Sequence, residues 1–246
     1  NGIEGTCTLD ICGKIPIFYM ELNGEVKRES RINCSMLFSP ALFEIGFAAL
    51  AGLPYLKQGL DLLMSRKREL VRPEQRFSGS LTILLPVWNE ANVLTQKLDN
   101  LMETCQGFDP HLVIIDSAST DASVSIVETW TGQDAFSSYT LLRMEQREGK
   151  TAAVKEALEH INQTIETDLI LMTDADALFE AGTVSKLMHW FSDSTIGCVG
   201  ASPKRLGQRA EEAEHRALFS MVRTMESKFD STPFLEGSCM MWRREA

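Results

Sequence analysis

Asp174 and Asp176 stand one residue apart directly after an apolar run, in "LILMTDADALF" (169–179). Apolar runs of this length form strands covered on both faces, as in parallel sheets. Two like charges at the end of such a strand repel each other and lose hydration, and the arrangement persists where something positive arrives, most often a metal ion. Other polar residues share this placement. The run "LTILLPVWNE" ends in Pro86, Val87, Asn89 and Glu90, "HLVIID" ends in Asp116 with Ser117 next to it, and Lys150 closes "REGK" just ahead of a helical pattern. Acids gathered with one flexible cation suit a diphosphate bridged by a divalent metal, with Asp174 and Asp176 as ligands to Mg²⁺ or Mn²⁺.

Each signal has an ordinary explanation when taken alone. A lone Asp-x-Asp occurs by chance, Glu90 and Asp121 favour the positive end of a helix dipole, and a single lysine is usually a solvated surface group. Asp116 is harder to dismiss, since buried strand ends seldom carry an acid without a use. The order of the set is what gives it specificity.

Positioning these residues requires regular elements. The pattern gives strands at Leu81–Leu85, His111–Asp116, "YTLLRM", Leu169–Thr173 and "IGCVGAS". Between them lie helices at Glu90–Cys105, after Ser119–Asp121, around Ala153–Ile161 and around Val184–Phe191, and a long one from about Arg209 to Phe229 follows. In the helix from Glu90, apolar residues recur at Leu94, Leu98, Leu101 and Cys105, the spacing of one helix face. Alternating strands and helices mean an α/β fold with a mostly parallel sheet. In such sheets ligands bind at the carboxyl ends of the strands, where the acids lie.

Upstream the pattern differs. Residues 1–35 are mixed, with a strand expected at Ile15–Met20, and they remain unassigned. The chain opens without methionine and its first residues resemble no signal peptide, so an N-terminally incomplete chain is expected. Residues 36–56 carry a single charge, Glu44, and open a hydrophobic helix over 36–64. That length suffices to span a membrane, whereas Pro40 and Pro54 favour a helix that lies on one or is buried. Six basic residues between Lys57 and Arg76 face three acidic ones there, in contrast to the net charge of −10 for the whole. Basic residues beside an apolar helix fix the following domain on the cytoplasmic side. A basic linker over 65–80, including the polar "RPEQRFSGS", leads to a domain at 81–246.

The acidic balance and the lack of a basic stretch interleaved with aromatics argue against nucleic-acid binding. Six cysteines (7, 12, 34, 105, 198, 239) form no Cys-x-x-Cys pair and no metal-ligand spacing with the four histidines. They are expected as reduced thiols in the core.

Four blocks in order, "LTILLPVWNEANVL", "VIIDSASTDAS", "REGKTAAVKEAL" and "LILMTDADALF", resemble the nucleotide-sugar half of family-2 glycosyltransferases. "ESKFDSTPFLEGSCMMWRREA" is similar to the acceptor region of their membrane polysaccharide synthases, of the cellulose synthase and poly-N-acetylglucosamine synthase type. The resemblance implies a glycosyltransferase-A fold and inverting transfer from a nucleoside-diphosphate sugar, usually a UDP-sugar, to a saccharide or lipid-linked acceptor at a membrane. By resemblance, Pro86 to Glu90 shape the base and ribose pocket, Asp116 and Ser117 contact the base or ribose, and Lys150 lies beside the nucleotide. Asp174 contacts the ribose or the metal's water shell, and Asp176 holds the metal. Glu236, Gly237 and Ser238 face the acceptor, with Arg243 and Arg244 just after. Asp116-Ser117 stands where the family often has two acids or Ser-Asp, and Leu235-Glu236 where relatives often have aromatic-Cys.

In that family the general base is an aspartate beyond the "RRE" segment. Such a residue falls after Ala246, so the chain as given is expected to lack its base and to bind donor without turnover. Of the later acids (Glu211, Glu212, Glu214, Glu226, Asp230 and Glu236), only Glu236 is expected near the reaction. Rival readings are a phosphatase of the haloacid-dehalogenase type, a nucleotidyltransferase and a non-catalytic nucleotide-binding domain. The first wants its Asp-x-Asp on an early strand, and the second a glycine-rich loop in place of "PVWNEAN".

Overall fold

The computed structural model describes residues 40–65, 67–130, 132, 136–202, 210–229, 231–232 and 234–245, and of 40–42 and 210–216 the backbone only. The strand expected at Ile15–Met20 and Cys7, Cys12 and Cys34 lie outside these residues. The chain divides into two units, one through Met64 and one from Ser65 onward.

The first unit contains most of helix α1 (Pro40–Ser65). Proline suits its first position, where no N–H is needed. Pro54 lies inside the helix, where its missing N–H leaves one turn without a bond. Lys57 and Asp61 pair at 2.6 Å one turn apart. Among the described residues no helix is long and apolar enough to cross a membrane. The spanning form of the expected hydrophobic helix is therefore not supported: Glu44, Lys57, Gln58 and Asp61 dilute the apolar run. Phe43, Phe47, Leu50 and Tyr55 are all well exposed.

The second unit is the α/β domain. Strands β1 (Leu81–Val87), β2 (His111–Asp116), β3 (Ser138–Arg143) and β4 (Leu169–Thr173) alternate with helices α2 (Ala91–Thr104), α3 (Ser123–Thr129) and α4 (Lys150–Thr164). Then follow α5 (Thr183–Trp190), β5 (Cys198–Gly200), α6 (Ala210–Phe229) and β6 (Cys239–Arg243). The six-stranded sheet has the order β3-β2-β1-β4-β6-β5. β1 to β4 are parallel, and β6 runs antiparallel to both β4 and β5.

One face of the sheet packs on α2 and α5 through Ile83, Leu85, Leu98, Leu101, Leu171 and Val184, all fully or nearly fully buried. The other packs on α4 through Leu84, Val113, Ile115, Ala153, Ala157 and Ile161. Two-sided cover is why β4 reads as an unbroken apolar run, and each of its five residues is buried.

Strand β6 was not foreseen. "CMMWR" carries neither alternation nor β-branched residues, and its strand form comes from pairing with the already buried β4. In that register Cys239 lies opposite Thr173 and Arg243 opposite Leu169. The polar segment before the domain is not a free linker either. The Phe77 N–H donates to the Met188 carbonyl at 3.2 Å, and Arg76 stacks over Phe108.

Candidate functional site

Strand register brings the candidate residues to one rim. Val87 lies opposite Asp116, and Asp116 opposite Arg143. Leu84 lies opposite Met172, so continuing the register brings Asp174 level with Pro86. Around this rim is a cavity of about 280 Å³. From β1 come Pro86 and Val87, from the loop after it Trp88 and Glu90, and from the loop after β2 Ser117. The α4 side gives Arg147, Gly149, Lys150 and Ala153, and the loop after β4 gives Asp174, Ala175 and Asp176.

The walls of the cleft are cross-tied. Asn89 sits in the left-handed region (φ 54°), which asparagine tolerates better than most residues. Its N–H donates to Ser119 Oγ at 2.9 Å, and its side-chain carbonyl accepts the Thr120 N–H at 2.8 Å. The Glu90 N–H donates to Ser123 Oγ at 2.8 Å and the Ala91 N–H to Asp121 Oδ2 at 3.0 Å. Asp121 Oδ1 accepts the Ser123 N–H, and the bonds from Ser123 are the main reason its carboxyl lies below the usual range. Asp121 is thus a helix-start residue, whereas Asn89 joins two loops.

Asp116 is nearly buried. One carboxylate oxygen accepts the Ser119 N–H at 3.0 Å, and the other, Oδ1, is buried without a hydrogen bond. Ser117 Oγ beside it is likewise unpartnered. Buried polar atoms normally find partners, so these two are poised for a ligand that brings polar groups of its own. Gly149 takes φ 91°, open only to glycine without strain, and starts α4 with Lys150 facing the cleft. Lys150 Nζ pairs with Asp174 Oδ1. Asp176 has no such pair among the described residues. Burial, then the charges of Asp176, Asp121 and Asp174, raises the Glu90 carboxyl above its ordinary value, with Lys150 opposing.

Glu236, Gly237 and Ser238 precede β6. The Ser238 carbonyl accepts from Thr173 Oγ1 at 3.0 Å and from the Asp174 N–H at 3.4 Å, so this segment abuts the acidic loop. Glu236 Oε1 accepts from Arg223 Nη1 at 2.6 Å, and its carboxylate is committed to α6. Glu226 accepts a bond from Thr232. Asp230 and the side chains of Glu211, Glu212 and Glu214 lie outside the described residues. Arg243 and Arg244 do not accompany the acceptor segment: the antiparallel strand carries them to the opposite end of the sheet. There Arg243 donates to the carbonyls of Phe191, Asp193 and Ile196, and Arg244 to those of Asn162 and Ile165.

The model of glycosyl transferase family 2 matches residues 82–246. The chain belongs to that family. It is 26% identical over 176 residues to an N-acetylglucosaminyltransferase of Rhizobium leguminosarum bv. viciae, covering 68% of this chain and 40% of the relative. It is also 26% identical over 136 residues to a dolichyl-phosphate beta-glucosyltransferase of Dictyostelium discoideum, covering 51% and 40%. The chain thus spans 40% of the length of these curated relatives. Among solved structures, the mannosyltransferase PcManGT from Pyrobaculum calidifontis in complex with GDP-Man and Mn²⁺ superposes with a TM-score of 0.63. The two are 30% identical, over 81% of this chain and 54% of the mannosyltransferase.

The family's motif blocks do not announce everything at the rim. Arg147 stacks over the Trp88 ring at 3.4 Å from its centroid, across the mouth of the cavity. Beneath the acidic loop lies Lys97, a fully buried lysine whose pKa burial lowers to about 8. The sequence held a signal for it. Lys97 interrupts the stripe Leu94, Leu98, Leu101 at a position where that helix face points inward.

Proposed function

We propose that the cleft binds a nucleoside-diphosphate sugar with a divalent cation and that the protein transfers the sugar, with inversion, to a saccharide or lipid-linked acceptor. One observation carries this reading. Asp174, Asp176, Lys150 and the buried, unpartnered Ser117 line a single cavity at the carboxyl rim of the parallel strands, with the unpartnered Oδ1 of Asp116 beside it.

In this reading Asp116 and Ser117 hold the base or ribose through their open acceptors, and Pro86, Val87 and Asn89 shape that pocket. Trp88 and Arg147 flank its mouth. Among the described residues no third His, Cys, Asp or Glu joins the acidic pair. Two carboxylates nevertheless fit Mg²⁺ or Mn²⁺, which fill their shells with phosphate oxygens and water. Asp176, which forms no ion pair among the described residues, and Asp174 would hold the cation, which would neutralise charge developing on the leaving diphosphate. Lys150 then turns from Asp174 alone toward the phosphates as well. The mannosyltransferase with GDP-Man and Mn²⁺ supports a metal-dependent nucleotide-sugar site, and the sequence resemblance favours UDP-sugars.

The test is Asp176→Asn in a calorimetric titration with UDP and GDP, with and without Mn²⁺. Neutralising the unpaired carboxylate should weaken Mn²⁺-dependent binding by about 100-fold, near 2.7 kcal/mol, while the melting temperature holds. A variant that binds nucleotide and Mn²⁺ as tightly as the parent removes the assignment.

For localisation, we propose that α1 lies on a membrane surface with the transferase domain on its cytoplasmic side. The exposed apolar side chains of α1 and the basic residues from Lys57 to Arg76 support it. Flotation with anionic vesicles should carry the protein upward, and Phe43→Ser with Leu50→Ser should leave it at the bottom. Equal flotation of parent and variant excludes the helix as anchor.

A further inference from the structure

The acidic loop has a problem of its own. Two carboxylates that repel each other sit on irregular backbone, yet donor binding requires both in fixed places. Besides its bonds to the Ser238 carbonyl and Lys150, the loop is held from one face of α2. Lys97 Nζ donates to Thr173 Oγ1 at 2.8 Å, where β4 ends, and to the Ala177 carbonyl just after the acidic pair. Its ammonium also lies 4.1 Å from the centroid of the Phe179 ring. Asn100, one turn on, brackets Phe179: its Nδ2 donates to the Phe179 carbonyl at 2.9 Å, and its Oδ1 accepts the Phe179 N–H at 2.7 Å. The loop is gripped at its start, after the acids and at its end.

A leucine would fit the helix stripe at position 97 without the cost of burying a charge. The ammonium does what no apolar side chain can: it ties the Thr173 hydroxyl to the Ala177 carbonyl and sets a positive charge beneath two negative ones. We propose that Lys97 and Asn100 are positioning residues that clamp the loop from Thr173 to Phe179 in the shape that presents Asp174 and Asp176 to the donor. This rests on the donor site proposed above. Neither residue lines the cavity, so both act through the loop.

The test uses Lys97→Met and Asn100→Ala in the full chain with three readouts. The first is hydrogen exchange of residues 174–179. The second is Mn²⁺-dependent binding of UDP and GDP. The third is binding of UMP and GMP, which lack the diphosphate. Exchange in the loop should quicken about tenfold, and Mn²⁺-dependent diphosphate affinity should fall about 10- to 100-fold, as for other supports behind metal ligands. Monophosphate affinity should stay within about twofold. The melting temperature of Lys97→Met should hold or rise, because a buried charge is gone. A purely structural lysine would instead lower stability and both affinities together, which overturns the proposal. Unchanged exchange in both variants overturns it too, as does faster exchange with parental diphosphate affinity. Should the parent bind no nucleotide at all, the donor site falls, and the exchange readout alone decides whether the clamp exists.

Discussion

The parallel half of the sheet and its antiparallel margin solve different problems. In β1, β2 and β4 all but two residues are buried, and the loops after β1 and β2 are tied to each other by side-chain bonds. In β5 none of the three residues is buried, and β6 buries only Cys239 and Met241. Leu218, Phe219 and Met221 on α6, and Phe234 after it, stand more than half exposed. The first region spends its apolar residues on a core that fixes a rigid rim. The second keeps apolar surface open beside the segment matched to the acceptor region, which suits contact with something other than the domain's own core. Rigidity is placed where the acids must hold still.

The strongest way to break this contrast is to cut the core and the margin by similar amounts. Ile83 is fully buried in β1, and Ile83→Ala should lower stability by about 2–5 kcal/mol, through lost transfer energy and the cavity left behind. Phe234 is 62% exposed and its ring lies 5.1 Å from the Arg223 guanidinium. Phe234→Ala should cost no more than about 1 kcal/mol. Denaturant melts of both variants settle the matter. A loss at Phe234 equal to that at Ile83 would mean that the margin belongs to the same core.

The same contrast decided what the sequence could disclose. Buried strands announce themselves by composition, so β1, β2 and β4 and the polar residues ending them are legible in the amino-acid pattern alone. Asp116, Lys150, Asp174 and Asp176 occupy the predicted rim because period and strand polarity together dictate it. β6 was illegible, since "CMMWR" forms a strand only by pairing with β4, a contact no local pattern encodes. Its direction carries Arg243 and Arg244 away from "EGS": adjacency in sequence becomes distance along an antiparallel strand. Lys97 and Asn100 were missed for a related reason. Their partners lie 76 to 80 positions away, and only the break in an apolar stripe marked one of them. Cys105 and Cys239 are buried and unpaired as expected, whereas Cys198 is exposed because its short strand lies at the sheet margin.

The smallest expected effect tests how much repulsion the rigid rim stores. Glu90 opens α2 without a side-chain capping bond, where the helix dipole favours its charge. Against that stand its partial burial and the charges of Asp176, Asp121 and Asp174, which together raise its pKa above 4.5 despite Lys150. An acid with a raised folded pKa keeps its proton to higher pH in the folded state than in the unfolded chain. Stability therefore falls as pH climbs from about 4.5 through the raised value, and the penalty is constant above it. Glu90→Gln removes the charge, so the variant should melt higher than the parent at pH 7 and equally at pH 4. Solvent screening at this partly exposed group keeps the gain below about 1 kcal/mol, a rise of about 1–3 °C in a domain of this size. A difference that persists unchanged down to pH 4 would trace to packing or capping, and would show that the acids at the rim sit together without electrostatic strain.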